Sequence, residues 1–329
     1  MRMKKIDVHH HIAPDFYINA LIKNGVYDMH GEPLPNWNEE QMLRFMERFD
    51  IVGIVASLSA PGIDIPTADN PKALAKSLSR QVNEGLAGLK EKYGKGFEAV
   101  ATLPADIDDA KEELAYALDV LHLAGVALFT NYNGHYLGED CFDELFYELN
   151  QRRAVAVLHP EVSCGGNAPA SIGVPRNFVE FGFETTRAAC SLYCSPNKTL
   201  LKYPFVKVIL PHMGGTLPFS IGRLSYPIRK WEGNYAMEQV AGIETLIRNY
   251  WYDTAISSSR PVFSAAEGLG ILNHMIFGSD AGIDDVFGPL ECLRTIDEIN
   301  KYYGNDQEAL EKIYYKNAIE LFPVFSELF

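Results

Sequence analysis

The chain has no apolar run that approaches membrane-spanning length and no cluster of lysine and arginine, and it contains neither a G-x-G-x-x-G pattern nor a Walker phosphate loop. These absences argue against a membrane span, against a surface for nucleic acid or anionic lipid, and against a dinucleotide or nucleoside triphosphate site. The formal net charge is −14, so an anionic ligand has to be held locally, by a metal or by individual arginines. Cysteine is sparse and unpatterned. Cys141, Cys164, Cys190, Cys194 and Cys292 are odd in number and form no tight repeat, which excludes a disulfide-stapled framework. The basic start, Arg2 to Lys5, leads into Asp7 and three histidines instead of the apolar stretch of an export signal. A cytoplasmic protein is the expectation.

No linker, repeat or low-complexity tract divides the 329 residues, and 47% hydrophobic content is enough for one large core. One domain over residues 1–329 is expected. Eight short apolar segments stand out: Ile6–His11, Val52–Leu58, Phe97–Leu103, Gly125–Thr130, Ala154–His159, Val206–Leu210, Tyr250–Thr254 and Met275–Gly278. Helical periodicity fills most of the gaps, at Glu39–Phe49, Pro71–Tyr93, Asp108–Leu123, Cys141–Arg152, Val179–Cys194, Glu238–Arg248 and Gln307–Leu321. Alternating strands and helices imply parallel strands with right-handed crossovers, and eight such units predict an α/β fold of the (β/α)8 TIM-barrel type. Two connections, Ile12–Asn38 and Glu161–Asn177, are long enough to wall a partly aromatic pocket over the carboxyl face.

The polar residues sit where such a barrel keeps its chemistry. In a strand alternate side chains share a face, so His9 and His11 project together while His10 points away. His159 ends the fifth segment, His212 follows the sixth in Leu210-Pro211-His212-Met213-Gly214-Gly215, and Asp280 follows the eighth. All converge on the carboxyl face of a barrel. His9, His11, His159 and Asp280 make a ligand set for one divalent metal, zinc first and manganese second. The fourth segment has no lysine that could be carbamylated to bridge a second ion. His212 is placed to transfer protons, and Asp280 combines ligation with acid–base work. His135, after the fourth segment, and Arg223 are candidate substrate contacts, the arginine because a guanidinium can hold a carboxylate bidentately. His122 and His274 read as structural.

The chain resembles the amidohydrolase superfamily, in the branch of the aminocarboxymuconate-semialdehyde, γ-resorcylate and 6-methylsalicylate decarboxylases. The resemblance is carried by the H-x-H of His9 and His11, Thr102 to Pro104, His159-Pro160, Glu184 to Thr186, the run from Pro211 to Leu224, and Phe277 to Asp280. The segment Gly125 to Glu139 is most similar to the 6-methylsalicylate side. The aminocarboxymuconate enzymes carry a substrate-binding arginine in an insertion after the first strand, whereas Ile12–Asn38 contains none. The resemblance implies a metal-dependent nonoxidative decarboxylase of a small aromatic or dienyl carboxylate. The same ligands also suit a lactone or amide hydrolase, or a barrel that only binds metal. The closing apolar residues Leu321, Phe322, Val324, Phe325, Leu328 and Phe329 either cover the barrel or join a subunit; a homodimer is the expectation.

Overall fold

The computed structural model describes residues 3–29, 32–161, 176–194, 198–231, 247–284 and 286–329. Eight parallel strands follow one another in chain order: β1 (Lys5–Ile12), β2 (Ile51–Leu58), β3 (Phe97–Thr102), β4 (Gly125–Phe129), β5 (Val155–His159), β6 (Lys207–Leu210), β7 (Trp251–Asp253) and β8 (Met275–Ile276). Each pairs with its successor, and the ring closes where the Val8 amide donates to the Phe277 carbonyl at 3.0 Å and the Asp280 amide to the His9 carbonyl at 2.9 Å. This is the predicted (β/α)8 barrel, with strand bounds that differ from expectation only at their ends.

Helices occupy the outer layer: α1 (Asp15–Lys23), α2 (Glu39–Phe49), α3 (Pro71–Tyr93), α4 (Ile107–Ala115), α5 (Asp143–Gln151), α6 (Arg176–Cys194), α7 (Thr199–Lys202), α8 (Leu217–Trp231), α9 (Arg260–Leu269), α10 (Phe287–Tyr303), α11 (Gln307–Glu311) and α12 (Asn317–Leu321). Local chemistry sets their ends. The Asn38 side chain caps α2 by accepting from the Gln41 amide, Asp50 closes it in the left-handed region, and Met42, Phe45 and Phe49 form the buried stripe. Asn70 caps α3, and Pro71 fits its first turn because that position needs no amide donor. The helix expected at Glu238–Arg248 falls mostly outside the described residues, as do most of Glu161–Asn177, Cys164, His30 and the side chain of Cys194. The Ile12–Asn38 connection holds α1 and a two-stranded hairpin, Asp28–Met29 with Glu32–Pro33. Its aromatic residues divide: Tyr17 is buried and donates to the Gly62 carbonyl, whereas Tyr27 is exposed. Among the described residues no helix is long and apolar enough to cross a membrane.

Two apolar layers follow from the alternation of each strand. Ile54, Ala56, Ala99, Ala101, Leu158, Leu210 and Phe277 pack outward against the helices, while Ile6, Val8, Val55, Val100, Val157, Ile209, Trp251 and Ile276 fill the barrel interior. The first strand breaks this alternation. Asp7 registers with Ile54 and His10 with Ala56, so Val8 and His9 together span the step opposite Val55, a bulge that changes the parity of the strand. Ile6 and Val8 therefore belong to the interior before the bulge, and His11, paired with Ser57, after it. Asp7 and His10 are left together on the outer side, where His10 Nδ1 donates to Asp7 at 3.1 Å.

The closing tail covers the barrel floor. Phe322 and Phe325 are buried in the interior layer, and Gly53 makes room for Phe325: a Cβ there would meet the Phe325 ring at 2.8 Å. Phe325→Ala would leave a cavity with little room to collapse, and a loss of about 3–5 kcal/mol is expected in chemical denaturation. A loss under about 1 kcal/mol would show that the tail does not plug the barrel.

Candidate active site

At the carboxyl ends of β1 and β5, the His9, His11 and His159 rings offer nitrogens that lie within 4.8 Å of one another, and all three residues are buried. His9 Nε2 is 3.1 Å from His11 Nε2. Asp280, after β8, brings Oδ1 to 3.0 Å from His11 Nε2 and 3.2 Å from His9 Nε2, while Oδ2 lies 3.1 Å from His212 Nε2. The His212 ring stacks on that of His9, with centroids 5.3 Å apart. Five side chains from four segments of the sequence thus form one cluster. His212, Met213 and Asp280 hold left-handed backbone conformations, with φ of 53°, 56° and 59°, a strained arrangement that aims the His212 and Asp280 side chains back over the barrel mouth.

The imidazole tautomers test whether these residues fit a metal. His9 Nδ1 donates to Asp253 Oδ2 at 2.9 Å, and His159 Nδ1 donates to the Pro160 carbonyl at 3.0 Å. His11 Nδ1 lies 3.3 Å from the Ser57 hydroxyl. The outer nitrogens of His9 and His159 act as donors, so in their neutral tautomers each Nε2 turns a lone pair toward the cluster, and a carboxylate faces them. A ring of converging lone pairs with one negative charge is the donor set of a divalent cation, and its orientation by outer hydrogen bonds is typical of such centres.

Electrostatics agree. Burial works to push the His9 imidazole down, yet the charges of Asp253 and Asp280 hold it well above its ordinary value. Burial and the neighbouring His11 and His9 drive His159 well below its ordinary value, and burial also lowers His11, which keeps both imidazoles neutral and able to ligate. Burial tends to raise Asp280, but the His9 charge and hydrogen bonds from His11 and His212 hold it well below the usual carboxylate range.

Residues not foreseen as functional position this cluster. Asp253, at the end of β7, orients His9 through Oδ2, while its Oδ1 accepts from the His212 amide at 2.9 Å. It lay at the end of a predicted strand, as His159 did, and that position was the available signal. Gly278 lets these groups approach, because a Cβ there would meet His9 Cβ at 2.9 Å and Asp253 Cβ at 3.1 Å. Asp7 accepts from the amides of His9 and Ser279 and so ties β1 to the segment carrying Asp280. Phe129 and Phe181 stand edge-on to His159, with ring centroids 5.9 and 6.2 Å away, and give the site aromatic walls.

The two expected substrate contacts lie apart from the cluster. His135 is in a short hairpin after β4, is two-thirds exposed, and pairs with Glu139 at 2.9 Å. Arg223 is exposed on α8. Neither contacts the histidine cluster among the described residues. His274 stacks on Trp251 and bonds the Tyr250 carbonyl, a structural position as expected.

Comparison with known proteins gives these features a lineage. The model of the amidohydrolase family matches residues 6–324. Decarboxylase macB of Penicillium terrestre is 33% identical, over 98% of this chain and 96% of its own length. The 6-methylsalicylic acid decarboxylase acuB of Aspergillus aculeatus is 32% identical, over 97% of this chain and 96% of its own. The fold is shared with the 5-carboxyvanillate decarboxylase of Novosphingobium aromaticivorans, whose crystal structure contains manganese and a nitrobenzoic acid; the TM-score is 0.79 at 20% identity, covering 97% of this chain and 96% of the other. Full-length similarity to decarboxylases decides the choice between carbon–carbon cleavage and hydrolysis, and the chain is a carboxy-lyase. It belongs to the amidohydrolase family, in the decarboxylase branch of that family.

Proposed function

We propose that the enzyme removes CO2 from a small ortho-hydroxybenzoate, with 6-methylsalicylate the first candidate, and that His9, His11, His159 and Asp280 hold one divalent ion, zinc or manganese. The observation that carries this reading is the position of Asp280, one oxygen of which faces the ligand histidines while the other faces His212. The ion would supply a charge that chelates the substrate carboxylate and its ortho oxygen and steadies the negative charge that develops on them.

The chain's own residues would do the rest. Phe129 and Phe181 stand against the His159 ring and would give an aromatic substrate apolar walls that keep water from it. The Asp280–His212 pair would hold a proton and pass it to the carboxyl-bearing carbon, breaking ring aromaticity. The carbon–carbon bond then breaks, its electron pair restores the ring, and CO2 departs, leaving a phenol. Asp253 would keep the ligand nitrogen of His9 turned inward throughout. We assign Arg223 and His135 to the approach of the carboxylate, a role read from KM in their alanine variants.

Support for the substrate comes from the acuB relative, and support for manganese from the Novosphingobium structure. The test is CO2 release from 6-methylsalicylate, γ-resorcylate and salicylate by zinc- and manganese-loaded protein, with a metal-stripped control. Metal-dependent release of CO2 with solvent deuterium on the ring carbon is expected. No release from any of the three acids by loaded protein would overturn this substrate class. We further propose that residues 1–329 act as one domain in the cytoplasm, as a homodimer joined through Val286, Phe287, Leu290 and Leu293, which are exposed at the start of α10. Sedimentation velocity should give twice the monomer mass, and a Leu290→Glu variant should give the monomer.

A further inference from the structure

The turn that presents His212 is held in a conformation it would not keep alone. His212, Met213, Gly214 and Gly215 all lie in the left-handed region, with φ of 53°, 56°, 77° and 62°. His212 and Met213 carry a Cβ, and two such residues in succession persist only where the surroundings over-determine them. At its entry the turn is fixed by Asp253, whose Oδ1 accepts from the His212 amide at 2.9 Å. Asp253 also orients His9, so the entry belongs to the metal-site cluster. The exit is fixed from a different element, α6.

There the Thr216 amide donates to Thr186 Oγ1 at 2.9 Å, and the two threonine hydroxyl oxygens lie 2.8 Å apart. Thr186 donates its own proton to the Gly182 carbonyl, one turn back on the same helix, at 2.9 Å. With that proton committed, the Thr216 hydroxyl is the donor between the two side chains, and the Thr186 oxygen gives one hydrogen bond and accepts two, its full capacity. Backbone packing locates the same contact: Gly215 sits against Gly182, and a Cβ on Gly215 would collide with the Gly182 carbonyl oxygen. Among the described residues no hydrogen bond of Thr186 reaches His9, His11, His159 or Asp280.

We propose that Thr186 is a positioning residue for proton transfer, pinning the exit of this turn so that His212 Nε2 stays opposite Asp280 Oδ2. The assignment rests on the proton-transfer role proposed for His212 and Asp280, which lie 3.1 Å apart. A turn fixed at its entry alone can unwind at the other end, and a return of His212 or Met213 to ordinary backbone angles would swing the imidazole away from the carboxylate. The same helix carries Phe181, whose ring stands edge-on to His159, so α6 sets both an aromatic wall of the site and the direction of His212. Valine at position 186 keeps the branched shape and loses all three hydrogen bonds, whereas serine keeps the hydroxyl that makes them.

The experiment compares full-length, zinc-loaded Thr186→Val and Thr186→Ser with the wild type. Turnover of 6-methylsalicylate is read together with zinc content, and the histidine rings are followed by proton–nitrogen correlation spectra, with His212 assigned through His212→Asn. Expected for Thr186→Val is a kcat lower by about 10²-fold, the cost of misplacing a reacting group by roughly 1 Å, at unchanged KM and zinc content and with the His212 ring resonances displaced. Thr186→Ser should restore both kcat and the resonances. If the valine variant fails to fold, Thr186→Ala is read in the same way. Unchanged kcat or unmoved His212 resonances without the hydroxyl would overturn the proposal. Failure of serine to rescue would also overturn it, because the hydroxyl would then not be what holds the turn, and so would a fall in turnover that tracks loss of zinc. If the wild type releases no CO2 from this acid, the substrate assignment fails while the ring spectra still decide whether Thr186 places His212.

Discussion

Asp280→Asn is expected to lower kcat by about 10²–10⁴, the usual contribution of a positioned acid or base, while metal is partly retained. In the proposed reaction the carboxylate has two roles in one side chain. Its Oδ1 faces His11 and His9, and its Oδ2 faces His212. Asparagine keeps the shape and one oxygen acceptor but removes the negative charge and the capacity to take up and release a proton. Stopped CO2 release should fall to near background in metal-saturating buffer, with metal content read in parallel by elemental analysis. Comparison with His212→Asn separates the roles: loss of turnover at full metal content is expected for His212→Asn, whereas Asp280→Asn should also weaken metal retention. Wild-type turnover in Asp280→Asn would remove Asp280 from proton transfer altogether.

Stripping the metal is expected to abolish turnover and to destabilise the fold at the same time. Three buried imidazoles and a partly buried carboxylate converge at the mouth of the barrel, and His9 and His11 bring their inward nitrogens within 3.1 Å of each other. A cation satisfies these lone pairs together. At a metal concentration a thousandfold above Kd, the bound ion adds about 4 kcal/mol of stability, which chelation would remove. Thermal unfolding with and without a chelator should show a fall in Tm of several degrees, reversed together with activity when zinc or manganese is restored. Equal Tm and equal turnover in chelated and loaded protein would rule out a metal in this cluster.

The sequence was most legible where the periodicity of side chains and the position of strand ends coincide. Eight β-branched segments separated by helical stretches leave few topologies, because parallel strands need crossovers of one hand. His159, His212 and Asp280 were visible for the same reason: polar residues terminating apolar strands of a barrel must lie at one face. Asp253 ended a recognised strand as well, but a lone aspartate there looks like many helix or turn caps, and its value depends on lying 2.9 Å from His9, a residue 244 positions away. His135 and Arg223 were singled out for their chemistry without any constraint on distance, and the fold holds both exposed. The apolar tail offered two outcomes in sequence; Gly53, far from it in the chain, provides the space that seats Phe325 in the barrel.

The first strand shows where sequence ends and tertiary structure begins. Alternation alone grouped His9 with His11 and set His10 apart, and that grouping is fixed by the local period of a strand. The same alternation would have put Asp7 beside His9. The bulge opposite Val55 prevents this by changing parity between Val8 and His9, so Val8 fills the barrel interior while Asp7 joins His10 on the outside. A bulge is set by pairing with the neighbouring strand and by the packing demands of both faces, neither of which a single strand's sequence contains. By itself, then, the sequence determined the barrel, the carboxyl face and the four candidate ligands, because these depend on local period and chain order. Only the tertiary structure decided how Asp280 is shared between His11 and His212 and which aspartate orients His9, because those depend on distances between residues remote in the chain.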